Sequence, residues 1–378
     1  MKINLPFGDR TSTSYKLIGE PLTARKPTKP FNRVAFAAAH IVADPLTGGI
    51  DWQGTIAYRR YLLNLGFGIA EAMDTSQRGM GLGWPDALEL IRRSIDDAGM
   101  EKSKLIYSGC GTDHLDLSEA HSLDDVIKAY LIQLHAIQKL GGRIIMMASR
   151  ALVCAAKTPE DYIKVYSAVL READHPVVLH WLGPMFDPAL KGYWGTNNFL
   201  SAMETCLAMI TQNVSKVDGI KISLLDAESE IVMRRRLPAA VKMYTGDDFN
   251  YAYLIAGDAH GFSHALLGIF DAIAPAASIA LSALAKDDLK KFHSVLAPTV
   301  PLSRLIFSAP TQYYKTGIVF LAWLNGHQDH FIMVNGSQSA RPLSYFVGVF
   351  KLADSAGLLC KPDLAMQRMK QLLAVYGV

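Results

Sequence analysis

Residues 217–223 read VDGIKIS, and this short run sets how the rest of the chain is parsed. Its length and isoleucine content suit a strand, and period-two alternation then turns Lys221 away from both Ile220 and Ile222. The lysine is expected to face an interior. Working outward, runs of the same kind precede it: RVAFAAAH (33–40), FGIAEAMD (67–74), KLIYSG (104–109), RIIMMAS (143–149) and PVVLHW (176–181). AVKMYTGDD (240–248) and a weaker run at 261–264 follow it. Each run is apolar until it closes on polar residues.

Between the runs lie segments of helical period. Val126, Tyr130, Leu134 and Ile137 are three and four apart within 122–140, and 85–98 and 158–173 behave alike. Thr158, Pro159 and Asp161 supply an N-cap, a first-turn proline and an acidic third residue; Ser122 and Asp125 form a similar box. Strand and helix alternating eight times in roughly 250 residues is the size and pattern of a (β/α)8 TIM barrel. An open doubly wound sheet shares the alternation, but no GxGxxG follows the first run. We therefore expect an α/β chain with an N-terminal arm at 1–30, the barrel at 31–285 and a helical extension at 286–378. In the extension, 287–307, 311–325, 343–355 and 363–376 are candidate helices. The arm is rich in Pro, Thr and Lys without periodicity, and is expected over the barrel's N-terminal face or a partner subunit.

Composition narrows the partners. The formal charge is +3 over 378 residues, from nearly balanced acids and bases, so neither a nucleic-acid nor a membrane-surface footprint is visible. Cys110, Cys154, Cys206 and Cys360 are far apart with no CxxC pair, which suits a reducing compartment and no zinc knuckle. Neither a signal peptide nor a membrane span is expected from the sequence. The expectation is a cytoplasmic protein with a small-molecule substrate.

Barrel enzymes build their sites at the C-terminal ends of the strands, and here those ends are polar. His40, Asp74, Ser108, Ser149 with Arg150, His180 with Trp181, Lys221, Asp247 with Asp248, and Ser263 with His264 close or nearly close a run. Desolvation favours the uncharged form of an interior amine, the form that attacks a carbonyl. The competing reading of Lys221 is an internal ion pair with Asp247 or Asp74. Likewise, His40 and His264 can be core hydrogen-bonders, and Asp247 a structural acceptor. Trp181, Phe186, Tyr193 and Trp194, in and after the fifth run, can form an aromatic wall for a sugar or simply pack.

GGIDWQGTIAYRRYLLNLGFGIAEAMDTSQRG (48–79), VDGIKIS and TGDD (245–248), with a closing ARPLSYFVGVFKLADSAGLL (340–359), resemble a divergent branch of the dihydrodipicolinate synthase and N-acetylneuraminate lyase superfamily. The likeness runs loosely from about residue 43 to 359. It implies a class I aldolase or lyase, without cofactor or metal, working as a homo-oligomer. It also implies that Lys221 is the Schiff-base lysine and that His180, in LHWLGP, stands where the family has a proton-shuttling tyrosine. The family's GTTGE loop is replaced by MDTSQR, of which only Thr75 persists, and the second tyrosine by SRAL. These departures point away from pyruvate and toward a keto sugar or polyol derivative. Asp74 would repel an α-carboxylate and accept hydrogen bonds from hydroxyls, while Arg78 or Arg150 would have to pair with any anion. Catalysis is thus expected from Lys221, His180 and Asp74. Thr75, Arg150, Trp181, Asp247, His40, Ser263 and His264 are expected at the substrate. Two other readings stand beside this one: a divalent-metal lyase or isomerase using Glu71, Asp74, His180, Asp247 and His264, and a non-catalytic ligand-binding barrel.

Overall fold

The computed structural model describes residues 2–6, 11–118 and 122–378. Strands β1 (Lys2–Pro6) and β2 (Ser12–Lys16) form an antiparallel pair. Eight parallel strands follow: β3 (Ala35–Ala38), β4 (Gly68–Glu71), β5 (Ile106–Cys110), β6 (Arg143–Met146), β7 (Val177–Leu182), β8 (Val217–Ser223), β9 (Lys242–Thr245) and β10 (His264–Leu267). They close in the order β10-β3-β4-β5-β6-β7-β8-β9, with helices between strands: a (β/α)8 TIM barrel with a C-terminal helical region.

Seven of the eight runs become strands at or near the positions where alternation placed them. The eighth differs. The run around 261–264 is the approach to β10, so Ser263 and His264 stand at its N-terminal end and not its C-terminal end. The apolar residues that build that strand, Ala265, Leu266 and Leu267, come after the histidine, and they pair with Ala35, Phe36 and Ala37 of β3.

The barrel's interior is filled by Phe36, Ala38, Ala70, Met73, Ile145, Val178, Tyr244 and Leu266, with Tyr107 and Met147 packed against them. Gly219 makes room for one of the largest of these, since a Cβ on it would lie 2.6 Å from the Tyr244 ring. Local signals hold at the helices. Asp125 N–H donates to Ser122 Oγ at 3.2 Å and Ser122 N–H to Asp125 Oδ2 at 3.1 Å, starting the helix Leu123–Lys139. Thr158 N–H donates to Asp161 Oδ2 at 3.0 Å at the start of Pro159–Arg171.

By compactness the chain forms two units, each discontinuous in sequence. One holds 33–38 and 68–267, and with them all eight barrel strands. The other holds 1–32, 39–67 and 268–378. In this second unit the helix Tyr314–Leu324 is buried along its whole length and packs on Leu343–Ser355 and Pro362–Val375. The candidate helix at 287–307 is broken: Pro298 and Pro301 divide it into Leu289–Leu296, a 3-10 turn Ala297–Thr299 and Val300–Ile306. Within this unit the arm is tied to the helix Leu343–Ser355. Asp354 accepts from the Tyr15 hydroxyl at 2.7 Å, Ile18 N–H at 2.9 Å and Gly19 N–H at 3.2 Å. Among the described residues, no helix is long and apolar enough to cross a membrane.

Candidate active site

Lys221 has the interior-facing parity read from VDGIKIS. It shares that parity with Gly219 and Ser223 on β8, and its register neighbours are His180 on β7 and Tyr244 on β9. The side chain is almost wholly buried, at 4% exposure. Gly246, just past β9, is what lets it lie there: a Cβ at 246 would stand 2.8 Å from Lys221 Cε, 2.3 Å from Ser223 Oγ and 2.6 Å from Ile222 O. Lys221 makes no ion pair with Asp247 or Asp74, nor a hydrogen bond through its amine, among the described residues.

His180 lies beside it, 2% exposed, with Nε2 3.2 Å from Ser223 Oγ. Burial, reinforced by the Lys221 charge and opposed by the Asp74 carboxylate, pushes the imidazole down to about 3. At neutral pH it is an uncharged ring. An ordinary histidine titrating near neutrality, as the sequence suggested, is therefore not what the barrel holds. Ser223 was not anticipated, although its position two residues after Lys221 was enough to place it on the same face.

A cavity of about 260 Å³ opens at His180, with Lys221 behind the imidazole and not in the wall itself; the wall also includes Asp74, Arg78, Thr112, Arg150 and Asp187. These come from loops after β4, β5 and β6, from β7 and from the loop after β7, the arrangement that barrel sites take. Asp74 is half-buried and belongs to the 3-10 turn Asp74–Ser76, in which Thr75 is buried. Arg78 is fully spent. Its Nε and Nη2 donate to Asp113 at 2.7 Å each, Nη1 to Ala72 O and Gly109 O at 3.1 Å each, and Nη2 also to Gln133 Oε1 at 2.6 Å. All five guanidinium donors are occupied, so Arg78 is a brace for the loops. Burial works to raise the Asp113 carboxyl, but the Arg78 bonds outweigh it and the net direction is down. Arg150 donates Nε to Asp187 Oδ2 at 2.6 Å and stays half-exposed.

Other expected residues lie elsewhere. Trp181 takes the opposite parity from His180 and leaves the barrel interior, stacking on Phe199 at 5.6 Å and meeting Trp194 edge-on at 6.1 Å. The loop after β7 is packed: the buried Tyr193 hydroxyl accepts Ser149 N–H at 3.2 Å and bonds the Tyr166 hydroxyl at 2.8 Å. Ser149 in turn bonds Thr112, hydroxyl to hydroxyl, at 2.6 Å. Asp247 is a turn-former. Its Oδ1 accepts from Phe249 N–H at 2.8 Å and Asn250 N–H at 3.1 Å, its Oδ2 from Asn250 Nδ2 at 2.8 Å, and burial raises its carboxyl.

Ser263 and His264 stand at the N-terminal end of β10 and are not in the wall of this cavity. Ser263 donates to Glu230 Oε1 at 2.6 Å. His264 Nδ1 accepts Val34 N–H at 2.9 Å, and burial, then the Lys242 and Arg33 charges, push its ring down to about 4. His40 belongs to the other unit, where its Nδ1 is 2.8 Å from Asp271 Oδ2 and its ring is buried. Glu71 accepts from the Ser94 hydroxyl at 2.7 Å and from Ala72 N–H at 2.9 Å. The five residues considered as metal ligands therefore do not converge, and among the described residues no three His, Cys, Asp or Glu side chains are placed to hold an ion.

A sequence profile of the family described as "Protein of unknown function (DUF993)" matches residues 3–378. No curated protein matches the sequence. Among solved structures the chain is similar to YagE, a prophage protein of the dihydrodipicolinic acid synthase family from E. coli K12 in complex with pyruvate. The TM-score is 0.68 at 14% identity, over 86% of this chain and 99% of that one. It is also similar to dihydrodipicolinate synthase from Aquifex aeolicus, with TM-score 0.67, 11% identity and coverage of 87% and 99%. A third is the chloride-inhibited synthase from Acinetobacter baumannii complexed with pyruvate, with TM-score 0.64, 15% identity and coverage of 86% and 99%. The likeness drawn from VDGIKIS and TGDD thus holds for the barrel as a whole, and at these identities it establishes the fold.

Proposed function

We propose that this chain, which belongs to the DUF993 family, is a class I aldolase or lyase that forms a Schiff base through Lys221. The observation that carries the reading is a buried amine on the interior face of the barrel, beside a neutral imidazole and without a carboxylate partner among the described residues. A lysine kept for structure is paired, because an unpaired buried charge is costly. A lysine kept for chemistry needs its nitrogen available.

In this scheme Lys221 Nζ adds to the substrate carbonyl, a proton passes from nitrogen to oxygen, and the hydroxyl takes up a second proton from solvent and leaves as water to give the iminium. The iminium draws in the electrons of the bond that breaks, while the proton of the hydroxyl on the departing carbon goes to His180. Protonation of the resulting enamine carbon and hydrolysis by water return the second product and the free lysine. His180 suits a relay better than a proton store. Burial makes the imidazolium costly, Asp74 offsets part of that cost, and Ser223 is within reach of Nε2.

The substrate we propose is a keto sugar or polyol derivative rather than pyruvate. Asp74 stands in the cavity wall, and Arg78, one of the two cations expected to pair with an α-carboxylate, has no donor left. Two like charges at ~4 Å repel by about 4 kcal/mol at an effective dielectric near 20. The test is borohydride reduction during turnover with pyruvate and with keto sugars at equal concentration. Substrate mass should appear on the peptide containing Lys221, and Lys221→Ala should carry none. Adduct on another lysine, or full activity in Lys221→Ala, rejects the mechanism. Saturable trapping by sub-millimolar pyruvate rejects the substrate class.

A further inference from the structure

Arg150 and Arg78 share a wall but not a condition. Every donor of Arg78 is engaged by protein, whereas Arg150 uses only Nε, toward Asp187 Oδ2 at 2.6 Å. Its Nη1 and Nη2 make no hydrogen bond with any described residue. Asp187 is itself held, since its Oδ1 accepts Ala189 N–H at 3.1 Å at the head of the turn Pro188–Leu190. The carboxylate therefore orients the guanidinium from one side and leaves the outer fork open. Such a fork matches the two oxygens of a carboxylate or a phosphate.

Depth adds the second constraint. The Arg150 side chain is 48% exposed, while His180 is 2% and Lys221 4% exposed. Arg150 thus stands toward solvent, while the buried part of the same wall is His180, the register neighbour of Lys221. Asp74, whose charge acts on His180, disfavours an anion near the carbonyl, so a negative group on the substrate belongs at the far end.

We propose that Arg150 is a specificity-determining residue that binds an anionic terminus, several carbons from the carbonyl, on a keto sugar acid or keto sugar phosphate. This rests on the Schiff-base reading for the placement of the carbonyl, but not for the binding of the anion. Hydrogen bonds to a charged group are worth about ten- to a hundredfold in affinity.

The probes are fructose, fructose 6-phosphate and 5-ketogluconate, offered to the full chain and to Arg150→Gln and Arg150→Lys. Calorimetry reads binding, and borohydride trapping reads the adduct. The expected result is binding of at least one anionic probe ten- to a hundredfold tighter than fructose. That preference should be lost in Arg150→Gln and partly kept in Arg150→Lys, with fructose unaffected. Whichever of the phosphate and the carboxylate benefits identifies the terminus. Equal binding of all three probes, no binding of any, or a preference that survives Arg150→Gln overturns the proposal. Anion-selective binding without adduct from any probe leaves the anion site standing and refutes the Schiff base instead.

Discussion

Replacing Glu230 with Gln should stabilise the protein increasingly as pH rises, because this carboxyl is ionised only at a cost. Glu230 sits in the helix Ala227–Arg234, 1% exposed, with Oε1 accepting from the Ser263 hydroxyl at 2.6 Å. Burial pushes the carboxyl up from 4.5 to about 8, outweighing the downward pull of the Ser263 and Thr245 hydroxyls. A folded-state value above the unfolded one means that the native protein holds the proton more tightly. The associated stability is fully present below pH ~4.5 and is lost as pH rises through ~8. The difference of about 3.5 units corresponds to about 5 kcal/mol between those limits, and to roughly 3 kcal/mol by pH 7. Glutamine cannot ionise and keeps an acceptor for Ser263, so the variant escapes this loss. The assay is urea unfolding of both proteins at intervals from pH 4.5 to 9, in which titrations common to both cancel. The stability difference should swing toward the variant by several kcal/mol. A difference constant to within about 1 kcal/mol across that range would show that Glu230 ionises normally, and that burial in this corner is not what the packing implies.

Three further outcomes are expected. His180→Phe should retain borohydride-trappable imine while slowing the later proton transfer by on the order of a hundredfold. Because the ring is held down to about 3, the wild-type kcat/KM profile should show no histidine limb near pH 6.5, and a limb there that vanishes in the variant would contradict the burial argument. Gly246→Ala should impair imine formation itself and cost about 1–3 kcal/mol in stability, since the new methyl would meet Lys221 Cε and Ser223 Oγ; unchanged trapping would mean that the strand end yields freely. Asp354→Ala, which removes three hydrogen bonds to the arm, should expose the segment around Lys16 to trypsin; equal protease resistance would show that the arm is held by other contacts.

The inward face of Lys221 needed nothing but VDGIKIS, because alternation within a strand is a local property of the backbone. The capping boxes at Ser122 and Thr158 were equally local, and so was the barrel rhythm, which repeats the same short pattern. The closing ends of seven runs could be read because each apolar stretch stops at polar residues. The eighth could not. GFSHALLGIF stays apolar well past His264, so only pairing with β3 and β9 decides that the histidine begins the strand.

Trp181 shows a different limit: the alternation that turns His180 inward turns its neighbour outward, and that follows from the sequence once the strand is accepted. The fate of the two arginines does not. Arg78 meets Asp113 and Gln133, 35 and 55 residues away, while Arg150 meets Asp187, 37 residues away. Which guanidinium is consumed and which keeps an open fork depends on how loops from separate strands close over the barrel. The lowered imidazole of His180 is tertiary for the same reason, since desolvation is a property of everything packed around a group and not of the residues beside it in the chain.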